Sequence, residues 1–92
     1  MKKIVQRTKR FEKSYIKLQK KVRQLFLKKM MFFLDDEFHL SLDTHRLKGK
    51  MNDKWAFSIT GDIRAVYTKE ERKKETVIVF TFIDIGGHNR VY

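Results

Sequence analysis

The sequence predicts an α+β domain with the element order β-α-α-β-β-β, in which a helical hairpin packs on one face of a small, mostly antiparallel sheet. Three observations support this class. Residues 11–34 repeat their apolar side chains at helical spacing, whereas residues 55–85 contain alternating or continuous apolar runs typical of strands. The chain has 92 residues, no proline and no Gly/Ser linker or internal repeat, so we expect one domain over residues 1–92.

The first strand and the helical hairpin are predicted from residues 3–34. Residues 3–6 form a short candidate strand, and Thr8 is a candidate N-cap for the helix that follows. Apolar residues recur at helical spacing along this first helix, and a second helix begins near Val22. The second helix also carries a separate apolar stripe of Leu27, Met31 and Leu34, which predicts packing against both the first helix and the sheet.

Three strands are predicted in the second half of the chain, after an irregular segment that contains His39 and His45. Residues 55–60 alternate between apolar and small or polar side chains, and Gly61-Asp62 is a two-residue hairpin signal before residues 63–68. Residues 69–74 form a charged turn. The continuous apolar run in residues 76–85 is expected for an interior strand covered on both faces, and the Gly86-Gly87 pair is expected to end it.

The net positive charge is confined to one region of the sequence. The formal net charge is +11, and residues 1–29 hold 12 Lys and Arg against the single acid Glu12, whereas the remaining residues hold 10 bases and 10 acids. One interpretation is a pair of helices with lysine-rich solvated faces. The alternative that we favour is a docking surface for polyphosphate, because interspersed acids are missing; an acidic protein partner would fit the same surface.

The composition also limits the cellular compartment that we expect and the kinds of active site that the chain can form. Without cysteine the chain cannot form disulfides, a thiolate zinc site or a cysteine nucleophile. The most apolar stretch, residues 77–82, is too short to span a bilayer, and the N-terminus has charges where a signal peptide needs an apolar segment. We therefore expect a cytoplasmic protein with no membrane partner. His39 and His45 lack surrounding acidic ligands, so no metal or other cofactor is expected.

Among the possible reactions, the sequence fits RNA cleavage best, in which a 2′-hydroxyl of the RNA attacks the adjacent phosphate. This reaction needs a base, an acid and cations that stabilise the phosphate, and histidine suits both proton-transfer roles. His45 and His88 are the candidates for these roles, and Arg64 lies among apolar residues of the middle strand. The basic residues near the two histidines are Arg46, Lys48, Lys50 and Arg90. Two aromatic residues, Trp55 and Tyr92, could stack on unpaired bases.

Each of these residues also has an ordinary structural interpretation. His45 would then be a surface loop residue, and Trp55 would belong to the core. Arg64 would pair with Asp62 or Asp84. The nuclease hypothesis depends on their joint placement.

Three motifs in order resemble the RelE/ParE superfamily of bacterial toxins, especially the RelE-type mRNA endonucleases. They are H-x-L-x-G from His45, D-x-R-x-x-Y from Asp62 and I-G-x-H-x-x-x-Y ending at Tyr92. The resemblance covers essentially the whole chain. It implies the RelE-like fold and the toxin of a type II toxin–antitoxin module. Such a toxin cleaves mRNA in the ribosomal A site and is silenced in a hetero-oligomer with a cognate antitoxin.

The resemblance also implies roles for individual residues. His45 and His88 correspond to proton-transfer or phosphate-contacting histidines, and Arg64 to an arginine on the scissile phosphate. Asp62 corresponds to a positioning acid and Tyr92 to the C-terminal aromatic residue, while Lys48 and Lys50 resemble RNA-holding residues. Ser58 and Ile63 depart from the histidine and tryptophan of some members. The alternative functions are a ParE-like, non-nucleolytic poison of DNA gyrase and a non-catalytic nucleic-acid-binding module.

Overall fold

The computed structural model describes residues 1–87 and arranges them as two helices packed on a five-stranded sheet. The elements are β1 (Lys2–Arg7), α1 (Lys9–Ile16), α2 (Lys20–Asp35), β2 (His45–Arg46), β3 (Trp55–Ser58), β4 (Ile63–Arg72) and β5 (Val77–Gly87). The strand order is β1-β5-β4-β3-β2, in which β1 is parallel to β5 and the other neighbours are antiparallel. The predicted α+β class is confirmed, and β2 is an additional strand in the segment predicted to be irregular.

The helical hairpin begins as the sequence predicts. Thr8 is the N-cap of α1, and its Oγ1 accepts a hydrogen bond from the Phe11 amide at 3.1 Å. The same hydroxyl donates to the Ile83 carbonyl at 3.2 Å, which ties the start of α1 to β5. The second helix begins at Lys20, two residues before the predicted start, because backbone bonds from Val22 and Arg23 to the Gln19 carbonyl already close its first turn.

The core lies between the helices and the sheet and is largely aromatic. The Phe33 ring of α2 lies 4.8 Å from the ring centroid of Phe80 and 5.1 Å from that of Tyr67. The Phe11 ring of α1 lies 5.9 Å from the ring of Phe82. Edge-to-face pairs at these distances add stabilisation to the burial of large apolar surfaces, so this layer is the main source of folding free energy.

The second apolar stripe of α2 does not pack as predicted. Leu27, Met31 and Leu34 are 55%, 74% and 42% exposed, whereas Phe26 and Phe33 of the same helix are buried. A 16-residue helix presents only one face to a single sheet. α2 does pack against both α1 and the sheet, as predicted, but it does so through Phe26, whose ring contacts Phe11 and Phe57, and not through this stripe.

Three strand boundaries also differ from the prediction. Ile59 N–H donates to the Ile63 carbonyl at 2.8 Å, so three residues rather than two separate this pair at the hairpin. β4 continues through the charged residues to Arg72, and the turn that follows ends at Thr76 with a φ of 54°. Gly86 and Gly87 continue β5 rather than ending it, since they pair with Arg64 and Ile63. The interior position of β5 is as predicted.

Within residues 1–87, neither helix has the length and apolar content that crossing a bilayer requires.

Candidate nucleic-acid-cleaving site

The sheet has a second face, turned away from the helices, which we call the open face. Ala65 belongs to the core under the helices, so its neighbours Arg64 and Val66 point to the opposite side of β4. Ala56 pairs with Val66, and His45 pairs with Ala56. Because directly paired residues of antiparallel strands share a face, His45 also lies on the open face, about 10 Å across the sheet from β4.

A cleft of about 410 Å³ adjoins His45, and we call it the main cleft. It is lined by His45, Arg46, Leu47, Lys48, Lys50 and Met51. The two-residue strand β2 and a 3-10 turn at Gly49–Met51 produce this arrangement, and Gly49 has a φ of 70° that favours glycine. The structure therefore brings His45 together with three predicted basic site residues, which are Arg46, Lys48 and Lys50.

The His45 ring is oriented by its own loop. Its Nδ1 lies 3.0 Å from the Asp43 carbonyl oxygen, and Asp43 is in the left-handed region with a φ of 50°. A carbonyl oxygen only accepts hydrogen bonds, so Nδ1 carries the proton in this contact. In the neutral ring Nε2 is then the nitrogen with the lone pair, which is the arrangement a general base requires.

The loop that carries His45 is tied to the sheet by a charged cluster that sequence reasoning missed. Thr44 Oγ1 donates to the Glu37 carbonyl at 2.7 Å, and the Glu37 carboxylate accepts from the Tyr67 hydroxyl at 2.6 Å. Lys69 Nζ also contacts that carboxylate at 2.9 Å. The burial of Tyr67, followed by the nearby Glu37 carboxylate, raises the pKa of its phenol far above the usual value. Such a cluster leaves no periodic signal in the sequence.

Arg64 lies on the open face of β4 with carbonyl partners. Its Nη1 is 3.1 Å from the Thr60 carbonyl and 3.3 Å from the Gly61 carbonyl. Among residues 1–87 the salt bridges do not join Arg64 to Asp62 or Asp84, so neither alternative pairing is observed. These contacts hold the guanidinium at the end of β4 and leave its other nitrogen atoms for an anion.

Asp62 lies in the loop before β4, beside the end of β5. Its Oδ2 is 3.5 Å from the point that a Cβ on Gly87 would occupy. Asp62 is therefore next to the residue that precedes His88. The predicted site residues His88, Arg90 and Tyr92 lie outside the described residues, and their assigned roles stay predictions.

Trp55 is the predicted site residue that the structure places apart from the others. It packs against the core under the helices, and its sheet partner Tyr67 is buried there. The Lys69 ammonium lies 4.0 Å above the Trp55 ring, and Phe38 contacts the ring from the side at 5.7 Å. Its ring is thus engaged on the helix side of the sheet, away from the open face.

A family model for the bacterial toxin of type II toxin–antitoxin systems, YafQ, matches residues 3–92. The chain belongs to the YafQ toxin family. This YafQ assignment confirms the RelE/ParE-type toxin relationship indicated by the three motifs. Among curated protein sequences, none shows a significant match to the chain.

Solved structures of YafQ and related toxins share the fold. A YoeB/ParE toxin from Agrobacterium tumefaciens matches with a TM-score of 0.73 at 19% identity, over 96% of this chain and 99% of the relative. YafQ in the E. coli DinJ-YafQ toxin–antitoxin complex matches with a TM-score of 0.73 at 16% identity, over 100% and 99%. The archaeal RelE-RelB complex from Pyrococcus horikoshii OT3 contains a match with a TM-score of 0.68 at 21% identity, over 99% and 100%.

Proposed function

We propose that this YafQ-family toxin is an endoribonuclease that cleaves mRNA by attack of a 2′-hydroxyl on the adjacent phosphate. The observation that carries the proposal is the main cleft. It is lined by Arg46, Lys48 and Lys50 together with His45, whose Nδ1–H is fixed by a carbonyl and which lies on the same face of the sheet as Arg64. Proton transfer and phosphate binding are the two requirements of this chemistry, and both sets of groups share one surface.

The roles follow from the chemistry of each group. His45 Nε2 accepts the 2′-hydroxyl proton as the 2′ oxygen bonds to phosphorus, or donates a proton to the 5′ oxygen as its bond to phosphorus breaks. Arg64 and the cleft cations stabilise charge on the phosphate, and Asp62 positions groups beside the end of β5. His88 is the second proton-transfer candidate, while Arg90 and Tyr92 are candidates for RNA contacts. The products are a 2′,3′-cyclic phosphate and a 5′-hydroxyl, and no metal is needed.

We also propose that the toxin acts on mRNA in the ribosome and is held inactive by an antitoxin. The matched DinJ-YafQ and RelE-RelB structures are toxin–antitoxin complexes. The net charge of +11 and the exposed Leu27 and Met31 side chains both favour an acidic, partly apolar protein partner.

The test is mRNA cleavage in a reconstituted translation reaction, with mapping of the ends. We expect codon-positioned cuts with 5′-hydroxyl ends, and no cut where the nucleotide before the scissile phosphate is 2′-deoxy. His45→Ala and Arg64→Ala should each lower the cleavage rate about 10²-fold or more, and we expect the same of His88→Ala. His39→Ala and Arg72→Ala are matched controls outside the main cleft.

Two results would overturn the proposal. Full cleavage by both His45→Ala and Arg64→Ala would remove the assigned site, and 5′-phosphate ends would exclude attack by the 2′-hydroxyl. Uncut mRNA together with inhibited DNA supercoiling would instead indicate the gyrase poison. RNA binding without growth arrest would indicate a non-catalytic module.

A further inference from the structure

A second, smaller cleft of about 120 Å³ lies on the open face beside the main cleft. Met51 lines both clefts, so one continuous surface connects them. Val66 and Ile83 form the floor of the second cleft, and both belong to the apolar cluster of the open face. Its remaining lining residues are Arg10, Lys54 and Asp84.

Arg10 is held in this cleft by a buried carboxylate. The Asp84 side chain is only 6% exposed, and its Oδ2 accepts from Arg10 Nε at 3.0 Å. The other carboxylate oxygen, Oδ1, accepts from Ser14 Oγ at 2.7 Å and from the Ile85 amide at 2.9 Å. A carboxylate fixed by donors from α1 and β5 gives the arginine a defined position rather than a freely moving one.

The guanidinium of Arg10 keeps donors available for a ligand. Its side chain is 69% exposed, and the contact with Asp84 uses Nε, which leaves the two terminal nitrogens with their four N–H groups. Lys54 supplies a second cation, and its ammonium contacts Asp53 Oδ1 at 3.1 Å at the surface. Two cations therefore line a small cleft whose one carboxylate already accepts three hydrogen bonds.

We propose that Arg10 and Lys54 form a second phosphate site, which binds the RNA backbone next to the phosphate held in the main cleft. The proposal rests on the proposed function, because it assigns the path of the same substrate. A forked guanidinium matches phosphate oxygens, and an ammonium adds a point charge. The small volume suits one phosphate group, and the shared Met51 side chain lies between the two sites. The RNA strand would thus pass from the main cleft toward α1.

The test measures binding and cleavage separately in the full chain. The binding probe is a fluorescent 2′-O-methyl RNA decamer, which lacks the attacking hydroxyl, titrated at several salt concentrations. Arg10→Gln and Lys54→Gln should each weaken binding about fivefold near 0.1 M salt and lower the slope of log affinity against log salt by roughly 0.7. In cleavage assays we expect a higher KM with kcat within about twofold of the unmodified chain.

Arg72→Gln and Lys73→Gln remove equivalent charges at the far end of β4 and serve as matched controls. If Arg10→Gln and Lys54→Gln behave like these controls, the second site is wrong, even where the unmodified chain cleaves mRNA. If the unmodified chain shows no cleavage but its RNA binding depends on Arg10 and Lys54 as described, the second site stands and the nuclease proposal fails. Lys54→Gln leaves the Arg10–Asp84 contact intact, so it decides the question where Arg10→Gln lowers stability.

Discussion

The two faces of the sheet differ in side-chain size and in charge. The helix side contains large, fully buried rings such as Phe33, Phe57 and Phe82, whereas the open face has a small apolar cluster with Ala56 and Val66, and cations line the clefts beside it. Large rings exclude water and stabilise the fold, while small side chains leave clefts in which polar groups meet a ligand. The same strands therefore serve stability on one side and line the proposed binding clefts on the other, because alternate residues point to opposite faces.

The largest expected effect of a single substitution on stability lies on the helix side. Phe33→Ala should lower the free energy of unfolding by about 3–5 kcal/mol, because it removes a buried ring in contact with several others. Urea denaturation followed by circular dichroism measures the change. If the alanine variant does not fold, Phe33→Leu should still give a clear loss.

Arg64→Ala is the matched substitution on the open face. It should change the free energy of unfolding by no more than about 0.5 kcal/mol, since its described contacts are two hydrogen bonds at a loop. Similar losses for Phe33→Ala and Arg64→Ala would show that the division between the two faces is wrong.

A smaller effect is expected for the charged cluster at the rim of the helix side. Glu37→Gln should lower the free energy of unfolding by about 2 kcal/mol, because the Lys69 ammonium, 25% exposed, loses its carboxylate partner. Glu70→Gln is the control on β4, since the Glu70–Arg72 pair is exposed and screened by solvent, so its loss should change stability much less. Thermal unfolding of both variants compares the two pairs; equal shifts would contradict the importance of burial.

A further effect appears only at alkaline pH and concerns Tyr67. Burial and the Glu37 carboxylate raise the pKa of this phenol in the folded state above its unfolded value near 10. The unfolded chain then loses a proton that the folded chain keeps, so this contribution to stability is full below pH 10 and falls as pH rises further. The loss should reach roughly 1 kcal/mol for each pH unit.

Urea denaturation between pH 9 and 11 measures this slope. Tyr67→Phe should show a shallower decline than the unmodified chain, and Tyr15→Phe, which also removes a phenol, should retain the full decline. An unchanged slope in Tyr67→Phe would mean that another group is responsible.

The sequence predicts those parts of the fold that have a local, repeating signal. Helical spacing indicates both helices, the Thr8 hydroxyl indicates the start of α1, and the continuous apolar run indicates β5. The two-residue strand β2 is too short for any periodicity. Residues 69–72 are charged and suggest a turn, but they extend β4 because its pairing with β5 satisfies the backbone of this exposed end.

The contacts of the candidate site also differ in how well the sequence predicts them. The sequence shows the basic run of Arg46, Lys48 and Lys50 directly, because these residues are close together along the chain. In contrast, Arg10 and Asp84 are in contact although they are 74 positions apart in the sequence. The Glu37 carboxylate contacts Lys69, which is 32 positions away. Tryptophan is a residue type that can stack on bases, but strand alternation and the pairing of Trp55 with Tyr67 decide which face of the sheet it occupies. Such facts depend on topology, which a single sequence encodes only weakly.

The parallel pairing of β1 with β5 has a consequence for synthesis of the chain. Lys2 pairs with Val77 and Arg7 with Phe82, so within residues 1–87 the first strand pairs with the last one. Contacts of such sequence separation form slowly compared with local ones, and they require the whole intervening chain. Asp84, which holds Arg10, belongs to that last strand. The order of translation therefore leaves the proposed nuclease incomplete until β5 has emerged from the ribosome that makes it.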